Sequence, residues 1–181
     1  MIFLPNCYTV AYMVLSTHAF VGALAGRLLP GNPVAAFAVG FTSHFLLDAI
    51  PHWDYQLSSI TGSGMEKNMQ VKSRAFLRDS LKMGTDLVLA VLLVWFAMKE
   101  MPGAGPSMIA GAIGGFTPDA LQFLFWKVRS EPLASIQRFH QWIHTSVRIK
   151  NPHVGIPAQM AVVIILTVLF AVNAVHAGVL N

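Results

Sequence analysis

Apolar residues in this chain fall into long runs rather than alternating with polar ones. Five runs stand out, over residues 8–29, 34–50, 82–98, 107–126 and 156–180. Pro30-Gly31-Asn32-Pro33 separates the first two as a dense turn signal, and Pro102-Gly103-Ala104-Gly105-Pro106 separates the third from the fourth. Pro51 closes the second run, because a proline disfavours helical geometry in the residue before it. Pro118-Asp119 interrupts the fourth run and is expected to break its helix, freeing Asp119 to point inward. Two polar segments remain, 52–81 and 127–152, the former containing the Ser/Gly-rich stretch 58–64. A bilayer core takes about 20 apolar residues per helix. The run 156–180 satisfies that outright, with His176 its only ionisable group. The pattern predicts an all-α integral membrane helical bundle, a single domain over 1–181 with about five transmembrane helices, two cytoplasmic loops and a C-terminal anchor helix at 156–180. The shorter runs leave a soluble bundle of buried helices open.

Composition favours the membrane reading. Charged residues make up 11% of the chain, against about 25% in an ordinary soluble domain. With 55% hydrophobic residues and a mean hydropathy of +0.58, disorder, a nucleic-acid arm and an ordinary soluble enzyme are all disfavoured. The lone cysteine, Cys7, cannot form an internal disulfide. No basic region or clean small-residue cleavage site marks a signal peptide, so the first helix is expected to be retained.

The net charge of +4 reads as topology. Lys67, Lys72, Arg74, Arg78 and Lys82 fall in or beside the first polar segment, and Lys127, Arg129, Arg138, Arg148 and Lys150 in the second. Only Arg27 and Lys99 flank the short turns. The positive-inside rule then puts the N-terminus and both polar segments in the cytoplasm, at a cell (inner) membrane. No aromatic-interleaved basic patch or reading motif points to nucleic acid.

In so apolar a chain, seven His and five Asp require explanation. Ser43 to Asp54 read SHFLLDAIPHWD. His44 and Asp48, four apart, share one helix face. His52 and Asp54 follow Pro51 at the helix mouth. Two imidazoles and two carboxylates form a mixed N/O set of the kind zinc or manganese accepts. The competing reading is a helix C-terminus with polar caps. Asp86, inside the third run, is costly unless functional; an ion pair with Lys82 is its plain alternative. Asp119 could face a metal or N-cap a helix restarted at Ala120. His140 and His144 repeat the four-residue spacing that brings two imidazoles to one metal. His18 lies alone among small residues. In the orientation set by Lys and Arg, these eight candidates, His18, His44, Asp48, His52, Asp86, Asp119, His140 and His144, all fall toward the cytoplasmic face with Asp54, whereas His176 is distant and reads as structural. Gly40-Phe41-Thr42 recurs as Gly115-Phe116-Thr117, a weak sign of paired helices.

These residues resemble a known family. Thr17-His18-Ala19 with Gly22, the His44/Asp48 helix running into Pro51-His52, Thr117-Pro118-Asp119, and the late histidines followed by Thr145-Ser146 are similar to the membrane-bound, predicted metal-dependent hydrolases. That family is distantly similar to zinc-dependent phospholipase C. The resemblance covers residues 14–148. It departs at the late cluster, where Gln141 stands in place of the family's basic residue; Arg138 or Arg148 is the alternative phosphate contact.

The expectation is a membrane-bound metal-dependent hydrolase of a lipid-like phosphoester or other ester at the cytoplasmic interface. Its divalent metal, zinc or manganese, would be held by His44, Asp48, His52 and Asp119, with His18, Asp86, His140 and His144 completing the set. Asp54 is the candidate general base. A divalent-metal or proton transporter and a metal-stapled membrane adaptor are the rivals.

Overall fold

A computed structural model describes residues 11–145, 147, 149 and 151–176, with side chains described from residue 14 to residue 170. Cys7, Arg148, Lys150 and the His176 side chain lie outside the described residues. In chain order the elements are β1 (Ala11–Met13), α1 (Leu15–Arg27), α2 (Pro33–Asp48), β2 (Asp54–Gln56), β3 (Ile60–Thr61), a 3-10 turn (Gly64–Glu66), β4 (Asn68–Met69), α3 (Arg74–Glu100), α4 (Gly105–Val128), α5 (Leu133–Ile143) and α6 (Pro152–His176).

The fold is mainly helical, as expected, and among the described residues three helices, against the five or so expected, are long and apolar enough to cross a membrane: α3, α4 and residues 152–170 of α6. At 1.5 Å per residue, α1 and α2 measure about 20 and 24 Å, short of a hydrocarbon core of about 30 Å. The first apolar run is not one helix. Its segment Ala11–Met13 pairs antiparallel with β2, matching Met13 to Asp54 and Ala11 to Gln56. An apolar run of this length does not distinguish strand from helix without a partner.

Three further expectations are corrected. α3 starts eight residues before residue 82, because the Ser73 hydroxyl accepts the Phe76 N–H at 3.1 Å and caps the helix there. α4 runs unbroken through Pro118, so Asp119 lies inside a helix and caps nothing. The polar segments are not plain loops. The first folds into β2, β3 and β4, and the second contains α5.

Backbone contact between α4 and its neighbours α1 and α2 explains how Pro118 is tolerated, since packing on both sides supports the helix that its missing N–H weakens. A Cβ at Gly40 would stand 2.1 Å from the Gly111 carbonyl oxygen, and one at Gly115 would stand 2.4 Å from that of His18. Only glycine permits these approaches. The glycines of the repeated Gly-Phe-Thr tripeptide thus both sit at helix crossings, one on α2 and one on α4.

One apolar cluster, including Phe20, Leu24, Val94, Ala97 and Met108, fastens α1 to α3 and α4. A second, of Leu57, Ile60, Met69, Phe125 and Trp126, seats the small strands on the end of α4. Lys127 reinforces it by donating to Met69 O at 2.5 Å, and the Arg129 guanidinium reaches the carbonyls of Met65 and Lys67. Outward, α3 and α6 are apolar and open, with most of their apolar residues left uncovered by the rest of the described chain. Such faces fit lipid better than water. The protein reads as a membrane protein.

Candidate metal centre

Asp48, on the last turn of α2, is the meeting point of the histidines. His44 is one turn earlier on the same face, with Nε2 3.2 Å from Asp48 Oδ2. His18 reaches in from α1, with Nε2 3.4 Å from Asp48 Oδ1, and its ring stacks on that of His44 at 4.0 Å. From α5, His140 Nε2 lies 2.7 Å from Asp48 Oδ2 and 3.4 Å from His44 Nε2. α4 contributes Asp119, whose Oδ1 is 3.8 Å from His44 Nε2. His18, His44, Asp48 and His140 are buried, and Asp119 is partly exposed.

The segment after α2 extends the cluster. Thr145 N–H donates to Asp48 O at 2.8 Å and Ile149 N–H to His52 O at 3.0 Å, so the chain after α5 runs beside the end of α2. This brings the His144 ring to 5.0 Å from His52. His52 Nε2 lies 2.9 Å from Asp54 Oδ1. Asp54 begins β2 and is buried, whereas the sequence suggested an open mouth. Burial opposes charge on His52, but the hydrogen bond and charge of Asp54 outweigh it and raise the His52 pKa. At His144 burial prevails and lowers the pKa.

Three overlapping groups result, each with ligand atoms within 4.8 Å of one another: His18, His44 and Asp119; His44, Asp48 and His140; Asp48, His52 and His144. His44 and Asp48 are each shared by two groups. These buried groups could hold a metal ion.

The tautomers test that fit. His44 Nδ1 is 2.8 Å from Gly115 O, His52 Nδ1 is 2.7 Å from Ile50 O, and His144 Nδ1 is 3.1 Å from Thr145 O. A carbonyl only accepts, so each Nδ1 carries the proton. In the neutral ring each Nε2 then presents a lone pair, which at His44 and His52 faces carboxylate oxygens. Lone pairs gathered this way repel unless a proton or a cation sits among them. Backbone carbonyls holding Nδ1–H are also the usual outer support of metal-ligating histidines. Nitrogen and oxygen donors without sulfur suit zinc or manganese.

Of the expected ligands, Asp86 alone stays outside the three groups. Its carboxylate accepts the N–H of Leu15 at 2.5 Å and of Ser16 at 3.2 Å, and so caps α1 from α3. Its suggested partner Lys82 turns instead to Asp79 at 3.4 Å and to Gln56 O at 2.8 Å. Arg138, offered as a phosphate contact, pairs with Glu131 at 2.6 Å on the exposed side of α5.

The chain matches no family model, no curated protein and no solved structure.

Two residues escaped the sequence reading. Gln122, one turn after Asp119 on α4, sets its amide nitrogen 3.4 Å from His140 Nδ1. Gln137, one turn before His140 on α5, is 2% exposed, and neither amide atom has a hydrogen-bond partner among the described residues. Their i,i+3 spacing from Asp119 and His140 was the available signal.

Proposed function

We propose that the chain is a membrane-bound metal-dependent hydrolase acting on a phosphoester or other ester of a lipid-like substrate. The observation that supports this best is the set of three overlapping His/Asp groups sharing His44 and Asp48, drawn from α1, α2, α4, α5 and the flanking segments. It agrees with the resemblance to membrane-bound metal-dependent hydrolases. Zinc is the preferred ion, with manganese the alternative.

His18, His44, Asp48, His52, Asp119, His140 and His144 would hold the metal. When bound, it would supply a water of lowered pKa and electrophilic charge for the developing oxyanion. The chain's own residues do the rest. The carbonyls of Gly115 and Ile50 fix the histidine tautomers. Asp54, paired with His52, would serve as the general base for that water. Asp86 holds the start of α1 one turn from His18 and acts as a positioning residue. The basic residues of the polar segments orient this end toward the cytoplasm, at the inner membrane.

Elemental analysis of the purified, unchelated protein is the decisive test. At least about one equivalent of zinc or manganese is expected, with loss in His44→Ala and Asp48→Ala. Chelator-sensitive hydrolysis of a lipid phosphoester should accompany it. Less metal than that overturns the reading, and metal uptake by proteoliposomes without ester hydrolysis would replace it with transport.

A further inference from the structure

Beside the cluster, a cleft of about 420 Å³ including its open mouth runs between the end of α2 and the first turns of α6. His52 lines one end, and it is also a member of the third His/Asp group. Leu47 and Ile50 form one wall, and Gly155, Ala158 and Val162 form the other. Spaced i, i+3 and i+7, the three α6 residues lie on one face and extend the cleft about 10 Å along the helix. His52 is its only charge-bearing side chain.

The width of the cleft is built in. Gly155 is packed so closely on Trp53 that a Cβ there would stand 2.1 Å from the Trp53 Cβ, and Gln159 donates to Trp53 O at 2.7 Å. These contacts fix α6 against the segment after α2, and small side chains leave the slot open. Ala158 is exposed on the flank of a helix long and apolar enough to cross the membrane. What meets that flank is therefore lipid.

We propose that this cleft seats one hydrocarbon chain of the substrate, entering sideways from the bilayer beside α6 with its ester or phosphate head at His52. The inference rests on the hydrolase reading and names its substrate as a membrane lipid held by its chain. An apolar slot that ends on an imidazole suits a molecule with a long apolar tail and one polar head. A peptide would bring a series of backbone N–H and C=O groups, for which Thr17 and Gln159 are the uncharged polar side chains lining the cleft.

The test uses the full chain, metal-loaded, in maltoside micelles, titrated with radiolabelled oleoyl lysophosphatidate and separately with farnesyl phosphate. Saturable binding of about one lipid per chain is expected, and the tighter of the two identifies an acyl or an isoprenoid tail. Ala158→Phe fills the slot and should weaken binding about tenfold, whereas Met160→Phe, an exposed position on the opposite face of α6, should leave it unchanged. Should Ala158→Phe fail to fold, Val162→Phe takes its place. Equal binding by wild type and the slot-filling variant, or no saturable binding of either lipid, overturns the proposal. Metal content measured on the same samples separates the two readings. Metal retained while lipid binding ignores Ala158→Phe sinks the cleft alone; metal absent while lipid binding responds as expected sinks the metal centre alone.

Discussion

The Asp86 carboxylate accepts the backbone N–H of Leu15 at 2.5 Å, so a side chain in α3 caps the first turn of α1. Val14, the residue just before α1, offers no side-chain cap of its own. The unsatisfied N–H groups of a helix start are costly where water is scarce, and a carboxylate also complements the positive end of the helix dipole. His18 sits one turn further along.

Asp86→Ala should therefore remove a cap worth about 1–2 kcal/mol and lower the thermal unfolding midpoint by roughly 2–8 °C. Metal affinity should fall about tenfold as His18 loses its fixed position, while stoichiometry at saturating metal is retained. Circular dichroism melts and metal titration check this. A variant that cannot be loaded at all would make Asp86 a ligand instead of a cap.

Asp48 and His144 should differ in kind. Asp48 belongs to two of the His/Asp groups and His144 to one. Asp48→Ala is expected to purify without metal. His144→Ala should keep bound metal at an affinity lowered by about 10–100-fold. Equal metal contents in the two variants, measured by mass spectrometry of the digested protein, would remove the shared role given to Asp48.

Much of this site was legible along the chain, because local geometry carries it. His44 and Asp48 share a face by spacing alone, Pro51 ends α2 near its expected place, and the Pro/Gly turns fall between helices as read. What escaped depends on tertiary partners. Residues 11–13 are as compatible with a strand as with a helix until β2 lies beside them. Pro118 signals a break, yet the backbone packing of α4 against α1 and α2 carries the helix past it. Asp86 looked like a ligand because a carboxylate in an apolar run needs a partner, and that partner proved to be the amide of a residue 71 positions away. α5 was overlooked inside a polar segment, although Leu133, Ile136 and Ile143 recur at helical spacing and Leu133 packs against the Phe125–Trp126 cluster.

Gly115 offers a contrast with Gly84. A Cβ at Gly115 meets the His18 carbonyl oxygen at 2.4 Å, whereas one at Gly84 meets nothing within 4 Å. Gly115→Ala should force α1 and α4 apart, cost about 1–3 kcal/mol and disturb the carbonyl that holds His44 Nδ1. Gly84→Ala in mid-α3 should be neutral or stabilising by up to about 1 kcal/mol. Parallel thermal melts with metal titrations test the pair. Similar behaviour of the two variants would mean that the α1–α4 approach is not what supports the cluster.

The pH dependence of metal stabilisation has a definite sign. In chelator, two nearby histidines oppose one another. His52, raised by Asp54 despite burial, contributes stability below the ordinary imidazole pKa that is lost as pH rises through its folded value. His144, lowered by burial, contributes stability above the ordinary value that is lost as pH falls toward its folded pKa. Together these two histidines should make the metal-free protein most stable near the ordinary imidazole pKa, with stability falling on either side. Bound metal changes the balance, because histidine ligates only when neutral and protons compete for each Nε2. The rise in melting temperature on adding zinc should be large at about pH 7.5 and shrink steeply toward about pH 5.5, below the usual imidazole pKa of about 6.5. An equal rise at both pH values would show that zinc is held by carboxylates alone, and the histidine-based centre would be wrong.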